Sequence, residues 1–152
     1  MAFEALVAAM LVALPGQTPA HADDIANAIA EAAAGDKLLA AELVTVGFFE
    51  SGYLPRIQEG KCRKGECDNG RARTWWQFQR TSFSRDAWET SVGLEPEAIL
   101  EASKVAARVL LAGRKACHSI EGTLSWYACG RCSWSGARYR ARMVQSVLAA
   151  QG

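Results

Sequence analysis

The segment from Asp36 to Tyr53 constrains this chain more than any other. Asp36 is a good side-chain cap for a helix, and Leu39, Leu43, Val46 and Phe49 follow it at helical spacing. Leu38, Val44 and Phe48 widen that apolar face until little of the circumference is left polar. A helix of this kind must be buried on most sides, so other helices have to wrap around it. It then runs into a carboxylate, Glu50, and breaks at Ser51-Gly52. Glu50 falls in the last turn, where the backbone dipole disfavours a negative charge. Phe48 and Phe49 add desolvation, and both effects favour the protonated carboxyl that a general acid needs. The plain alternative is a solvated glutamate at a fraying helix end.

The flanking pattern is also helical. Residues 2–13 read as an Ala/Leu/Val helix ended by Pro15-Gly16. The apolar run from Ala5 to Leu14 is too short to span a bilayer. It has the length of a secretory signal core, with Ala20-His21-Ala22 as a cleavage site. No Lys or Arg precedes it, however, and Glu4 stands where positive charge belongs, so residues 1–18 are expected as an extra first helix rather than a cleaved signal. Thr18-Pro19 starts a second helix, with Asp23 and Asp24 at its positive end and Ile25, Ala28, Ile29 and Ala32 as its stripe, stopped by Gly35.

Beyond Glu50 the composition changes. Residues 53–75 are rich in Gly, Lys and Arg and hold Asp68-Asn69-Gly70 as a turn. This reads as a small loop or β lobe, stapled by Cys62–Cys67 because it has little apolar content of its own. Trp75-Trp76-Gln77-Phe78-Gln79 follows, with a polar residue between the rings. A short helix is expected over 82–90, carrying Phe83 and Trp88, and a long one from Pro96 to Gly113. Another covers Ser119 to Ala128, and the last runs from about Ser135 to Ala149, burying Tyr139, Met143, Val144 and Val147. The expected architecture is one mainly helical domain over residues 1–152, with a small lobe.

Charge is unevenly placed. Residues 1–50 carry one lysine and seven carboxylates, whereas the remainder is basic, so that the net charge is only +1. A basic second half suits an anionic polymer, or merely neutralises the first. Arg138, Arg140 and Arg142 read as a solvated helix face, and no nucleic-acid partner is expected. The five cysteines point to an oxidising compartment, and their odd number leaves at least one thiol unpaired in a monomer. A four-thiolate zinc site from Cys62, Cys67, Cys129 and Cys132 is the competing use, but 61 residues separate the two pairs, long for a compact zinc ribbon. No metal or cofactor is expected.

Three short segments carry a resemblance: Glu50-Ser51 at a helix end, Ala72-Arg73-Thr74-Trp75-Trp76-Gln77, and Trp126-Tyr127-Ala128-Cys129-Gly130. In this order, and over about residues 24–145, the chain resembles the lysozyme-like superfamily, in its branch of soluble lytic transglycosylases and goose-type lysozymes. The corresponding family motifs are a helix ending in the catalytic Glu-Ser, Ala-x-Gly-Leu-Met-Gln, and Ala-Tyr-Asn-x-Gly. The resemblance implies an α+β lysozyme-like fold, a helical bundle around the buried helix. It also implies a glycosidase that cuts the β-1,4 bond between N-acetylmuramic acid and N-acetylglucosamine in peptidoglycan.

Glu50 would then protonate the glycosidic oxygen and later act as base. In a transglycosylase the sugar's own 6-hydroxyl is the acceptor, the product is a 1,6-anhydro sugar, and no second carboxylate is required. A hydrolase would need one, with Glu66 and Asp68 as candidates, although Asp68 is also an ordinary turn residue. Ser51 would orient Glu50 or contact an N-acetyl group, and Gln77 and Tyr127 would bond to substrate and Glu50. Trp75, Trp76, Trp126 and Trp134 would stack on sugars or pack in the core, with one of the adjacent pair facing the cleft.

The resemblance also favours Cys117–Cys132 as the second disulfide, because Cys129 occupies the small-residue position of the Tyr-x-x-Gly motif; Cys117–Cys129 is the alternative. Three departures stand out: Thr74 for the family's glycine, Ala128 for its asparagine, and the Cys62/Cys67 loop for its serine-rich approach to the glutamine. The first two make a non-catalytic glycan-binding module the second reading. The implied partner is the peptidoglycan glycan strand, met in the periplasm, outside the cell or on a virion. No stable membrane insertion is expected, and the chain should be a monomer unless built into a virion or secretion assembly.

Overall fold

The computed structural model describes residues 1–150, and it is mainly helical with one small two-stranded sheet. Its axis is α3 (Lys37–Ser51), on which Leu39, Ala40, Ala41, Leu43, Val44 and Val46 are all buried. Asp36 starts it as expected, its Oδ1 accepting from the Leu39 N–H at 2.9 Å. Gly52, left-handed at φ 59°, ends it by donating to the Phe48 carbonyl. α1 (Phe3–Val12) covers α3 through Val7, Met10 and Leu11, and α2 (Ala22–Ala33) lies between α1 and the long α6 (Pro96–Cys117). α7 (Ile120–Cys129) packs on α6, and α8 (Ala137–Ala149) returns across α3. One apolar core joins residues of all these helices.

Gly47 and Gly113 permit close approach within this bundle. On α3, a Cβ at Gly47 would collide with the phenol of Tyr53, whose Oη donates to the Val44 carbonyl at 2.9 Å. On α6, a Cβ at Gly113 would sit 2.9 Å from Trp126 of α7. That explains why α6 does not stop at Gly113 as expected: the glycine makes room for a tryptophan, and the helix ends at His118 with φ 59°.

Other boundaries also differ from expectation. α2 starts at Ala22, not at Thr18-Pro19, because the Pro19 carbonyl is taken by the Ala22 N–H in a preceding turn. Residues 82–90 form successive turns instead of a helix. There the Ser84 hydroxyl donates to the Gln79 carbonyl at 2.6 Å and accepts from the Thr81 N–H at 2.8 Å, competing with helical bonding. Tyr139, expected in the core, is 59% exposed and meets the edge of Phe49.

The small lobe comprises α4 (Pro55–Gln58), a single turn α5 (Cys67–Gly70), and the strands β1 (Ala72–Arg73) and β2 (Phe78–Gln79), paired antiparallel as Ala72↔Gln79 and Arg73↔Phe78. Its own apolar cluster is only Ile57, Cys67 and Ala72 with Cys62 against them. α5 is left-handed, with φ of 53°, 49°, 55° and 86° from Cys67 to Gly70, a conformation costly for L-residues outside glycine, Asn and Asp. Gln58 ties the lobe to the bundle. Its buried amide donates to the carbonyls of Ser91 (2.7 Å) and Gly93 (2.9 Å) and accepts from the Trp75 N–H at 3.1 Å.

Cys62 is bonded to Cys67 and Cys117 to Cys132, while Cys129 is free and exposed. These bonds exclude both the four-thiolate site and the Cys117–Cys129 pairing, and they fit an oxidising environment. Among the described residues no helix is long and apolar enough to cross a membrane.

Candidate active site

Glu50 occupies the last turn of α3, with a side chain 23% exposed. The lone carboxyl expected from the sequence is not what the fold builds. Arg140, on α8, donates from Nη1 to Glu50 Oε1 at 2.7 Å. Its guanidinium lies 5.1 Å from the Phe49 ring centroid and 4.9 Å from that of Trp134, so two aromatic faces hold it in place. The reading of Arg138, Arg140 and Arg142 as one solvated face therefore holds for two of the three. Arg142 is exposed and Arg138 meets Glu121 only at 3.8 Å, whereas the Arg140 side chain is 15% exposed.

Tyr127 lies within electrostatic reach of Glu50. Its Oη donates to the Trp76 carbonyl at 2.6 Å, tying α7 to the turn between the strands. Burial pushes the Tyr127 phenol up, and the negative charge of Glu50 adds to the shift against the opposing charge of Arg140. The hydroxyl thus stays protonated and remains a donor. In that turn Thr74 and Gln77 are both left-handed, at φ 70° and 50°. The Gln77 N–H and its Nε2 both donate to the Thr74 carbonyl, at 3.2 and 2.8 Å. Thr74 stands where glycine would be unstrained, and a β-branched residue there costs of the order of 1–2 kcal/mol.

Several expected site residues have other employment. Trp75 and Trp76 are both fully buried, their indole N–H groups donating to the carbonyls of Leu54 (2.8 Å) and Leu43 (2.9 Å). Neither faces a cleft, because an indole N–H in the interior must find an acceptor and both acceptors lie inward. The Ser51 hydroxyl donates to the Gly47 carbonyl at 2.9 Å and accepts from the Tyr53 N–H at 3.1 Å, so it shapes the end of α3. Glu66 is gripped by both terminal nitrogens of Arg56, at 2.6 and 2.7 Å, and by the Arg63 N–H. Those bonds, the Arg56 pair first, hold its carboxyl down at about 2. Asp68 is exposed and accepts from Gln79 Nε2 at 2.7 Å, as a turn aspartate would.

Beside Tyr127 lies a groove of about 550 Å³, whose walls include Gln77, Phe78, Phe83, Trp126 and Tyr127, with the free Cys129 at its rim. Glu50 does not line it. Of the expected set, then, Gln77, Trp126 and Tyr127 are brought together around a concave surface, and Glu50 is not among its walls. Among the described residues no three of His, Cys, Asp and Glu gather as a metal would require.

Two charged residues escaped the sequence reading. Arg140 is one. Glu42 is the other: it is buried on α3 and bonded through Oε2 to Arg114 Nη2 at 3.0 Å, while Arg114 Nη1 holds Asp36 at 2.7 Å. Burial pushes the Glu42 carboxyl up to about 7 against the pull of Arg114. Despite its own partial burial, the Asp36 carboxyl is held low by the Leu39 N–H and Arg114. The available signal was a carboxylate on a helix with no polar face, which requires a cation brought by another element. No protein-family model, curated protein or solved structure matches this chain at a significant level.

Proposed function

We propose that this chain is a peptidoglycan-cleaving glycosidase, acting on the β-1,4 bond between N-acetylmuramic acid and N-acetylglucosamine with Glu50 as general acid and base. The observation that carries the reading is that Gln77 and Tyr127 line one groove, with α7 tied to the inter-strand turn by the bond from Tyr127 to the Trp76 carbonyl, and that Glu50 at the end of α3 lies within electrostatic reach of Tyr127. Trp126, Phe78 and Phe83 give the adjoining groove the apolar surfaces on which sugar rings stack, and Gln77 supplies a polar group beside them. Both candidates for a second carboxylate have partners of their own, Glu66 in Arg56 and Asp68 in Gln79. This favours the transglycosylase route, in which the sugar's 6-hydroxyl replaces water. The two disulfides suit a site of action in the periplasm, outside the cell or on a virion.

Glu50→Gln should reduce lysis of purified cell walls by about 10²–10⁴-fold with little change in the thermal melt. Undiminished lysis by that variant would sink the assignment. Mass analysis of the wild-type digest should find 1,6-anhydro ends; reducing ends would mean hydrolysis. The second reading, a glycan-binding module without catalysis, is favoured by the Glu50–Arg140 pair and by the burial of Trp75 and Trp76. Wall binding with no release of sugar would decide for it.

A further inference from the structure

We propose that Cys117, Cys129 and Cys132 form a disulfide relay. The free thiol of Cys129 takes over the bond to Cys132 and releases Cys117, which unhitches the segment 130–136, with Trp134, from the end of α6.

The three cysteines lie along α7 and its flanking turns. Gly122, Ser125 and Cys129 recur on one face of α7, at the i, i+3, i+7 spacing. The Cys117–Cys132 bond lies on that face: a Cβ at Gly122 would sit 2.7 Å from the Cys117 Cβ, and Cys132 lines a small pocket together with Gly122 and Ser125. Cys129 follows Ser125 by one turn, about 6 Å along the axis. Gly130, left-handed at φ 72°, ends the helix there, and only Gly130-Arg131 stand between Cys129 and Cys132. A turn with two residues between its ends brings the flanking Cα atoms within about 7 Å, the reach of a disulfide. Cys129 and Cys132 are exposed whereas Cys117 is half-buried, so attack falls on the Cys132 sulfur and Cys117 leaves.

In the exchange, the Cys129 thiolate attacks Cys132 Sγ. The Cys129–Cys132 bond forms as the Cys117–Cys132 bond breaks, and the electron pair of the broken bond stays on Cys117 Sγ. That thiolate takes a proton from water, replacing the one Cys129 gave up. One thiol and one disulfide enter the step and one of each leaves it, so no oxidant or reductant is consumed. Before the exchange the segment after α7 is tied to α6; afterwards it is tied to α7 alone. Trp134 stands two residues beyond Cys132, and its ring lies 4.9 Å from the Arg140 guanidinium that holds Glu50 at 2.7 Å. Cys129 is also a wall of the groove. The exchange thus withdraws one residue from the groove and loosens the aromatic support of the Glu50–Arg140 pair in a single step.

The test maps disulfides in the full chain. The wild type is held at about pH 8.5, where thiols exchange, then quenched in acid and digested with pepsin, and its cross-linked peptides are quantified by mass spectrometry. The Cys129–Cys132 cross-link should be present in about a tenth of the chains or more, and a smaller share overturns the proposal. Two variants hold the two states apart: Cys129→Ser keeps the resting bond, and Cys117→Ser leaves only the exchanged one. Acrylamide should quench tryptophan fluorescence more strongly in Cys117→Ser than in Cys129→Ser, and adding Trp134→Phe to each should abolish the difference. Equal quenching in the two would mean that Trp134 is not unhitched. The wild-type map decides the exchange even if Cys117→Ser does not fold. These measurements need no substrate, so their outcome is separate from that of the glycosidase reading.

Discussion

The two ends of α3 each pair a glutamate with an arginine from another helix, and they differ in exposure. Glu42 is 1% exposed and reaches Arg114 of α6, with its Oε1 and the nearby Thr45 Oγ1 lacking any partner. Glu50, about two turns further on, is 23% exposed and reaches Arg140 of α8. At the inner pair the Glu42 carboxylate is closed off from solvent although Arg114 is 30% exposed, so the consequences of burying that carboxylate fall on folding and on pH. At the outer pair it is the glutamate that is open, and both partners lie within electrostatic reach of Tyr127. Similar chemistry on one helix thus seals the carboxylate of one pair and leaves that of the other partly open to solvent.

The largest effect should come from breaking the inner pair. Arg114→Met leaves Glu42 without a counter-charge and should lower the free energy of unfolding by about 3 kcal/mol or more at pH 8. Adding Glu42→Leu to the same chain should recover most of that loss, since the pair is then replaced by apolar groups. Urea unfolding of the three proteins measures this, and an Arg114→Met protein as stable as the parent would mean that the two ends are alike.

Next comes the pH dependence of the inner end. With the Glu42 carboxyl raised from 4.5 to about 7, the folded protein holds a proton there that the unfolded chain has released. The resulting stability is fully present below pH 4.5 and is lost as the pH rises through 7. The change amounts to about 3 kcal/mol. Unfolding curves between these limits should fall with pH in the parent, and the fall should be largely absent in Glu42→Gln.

Gly47 lies between the two ends. Gly47→Ala drives a methyl group into the Tyr53 phenol and should cost about 1–3 kcal/mol, read from the thermal melt. The outer end should tolerate loss of its arginine better, because Glu50 is partly open to solvent where Glu42 is not: Arg140→Gln should cost less than Arg114→Met. A large drop in its melting temperature would make Arg140 a structural residue like Arg114.

Much of the helical frame was legible from local signals. Asp36 caps α3 where the sequence places it, Pro96 opens α6, and Ser119, expected inside α7, stands one residue before it as its cap. The position of Glu50 in the last turn followed from the break at Ser51-Gly52. Gly113 misled because a glycine that ends a helix and one that admits a neighbouring tryptophan look alike in one dimension. Residues 82–90 misled because Ser84 draws the local backbone into turns that no apolar periodicity reports. At the candidate site, Gln77, Trp126 and Tyr127 were found by their order along the chain, while the burial of Trp75 and Trp76 was not. Their acceptors, the carbonyls of Leu54 and Leu43, lie 21 and 33 residues away, beyond the reach of any local pattern.

By itself the sequence determined that an apolar helix must be wrapped by others, that it ends on Glu50, and that a cysteine-stapled lobe with little core follows. These follow from spacing, capping and composition, which act over a few residues. Only the tertiary structure decided which charges meet. Arg140 reaches Glu50 across 90 residues and Arg114 reaches Glu42 across 72, and no local rule sets either distance. A buried or half-buried charge takes whatever counter-charge the packing of helices brings to it. The chemistry open to Glu50 therefore depends on how α8 lies over α3.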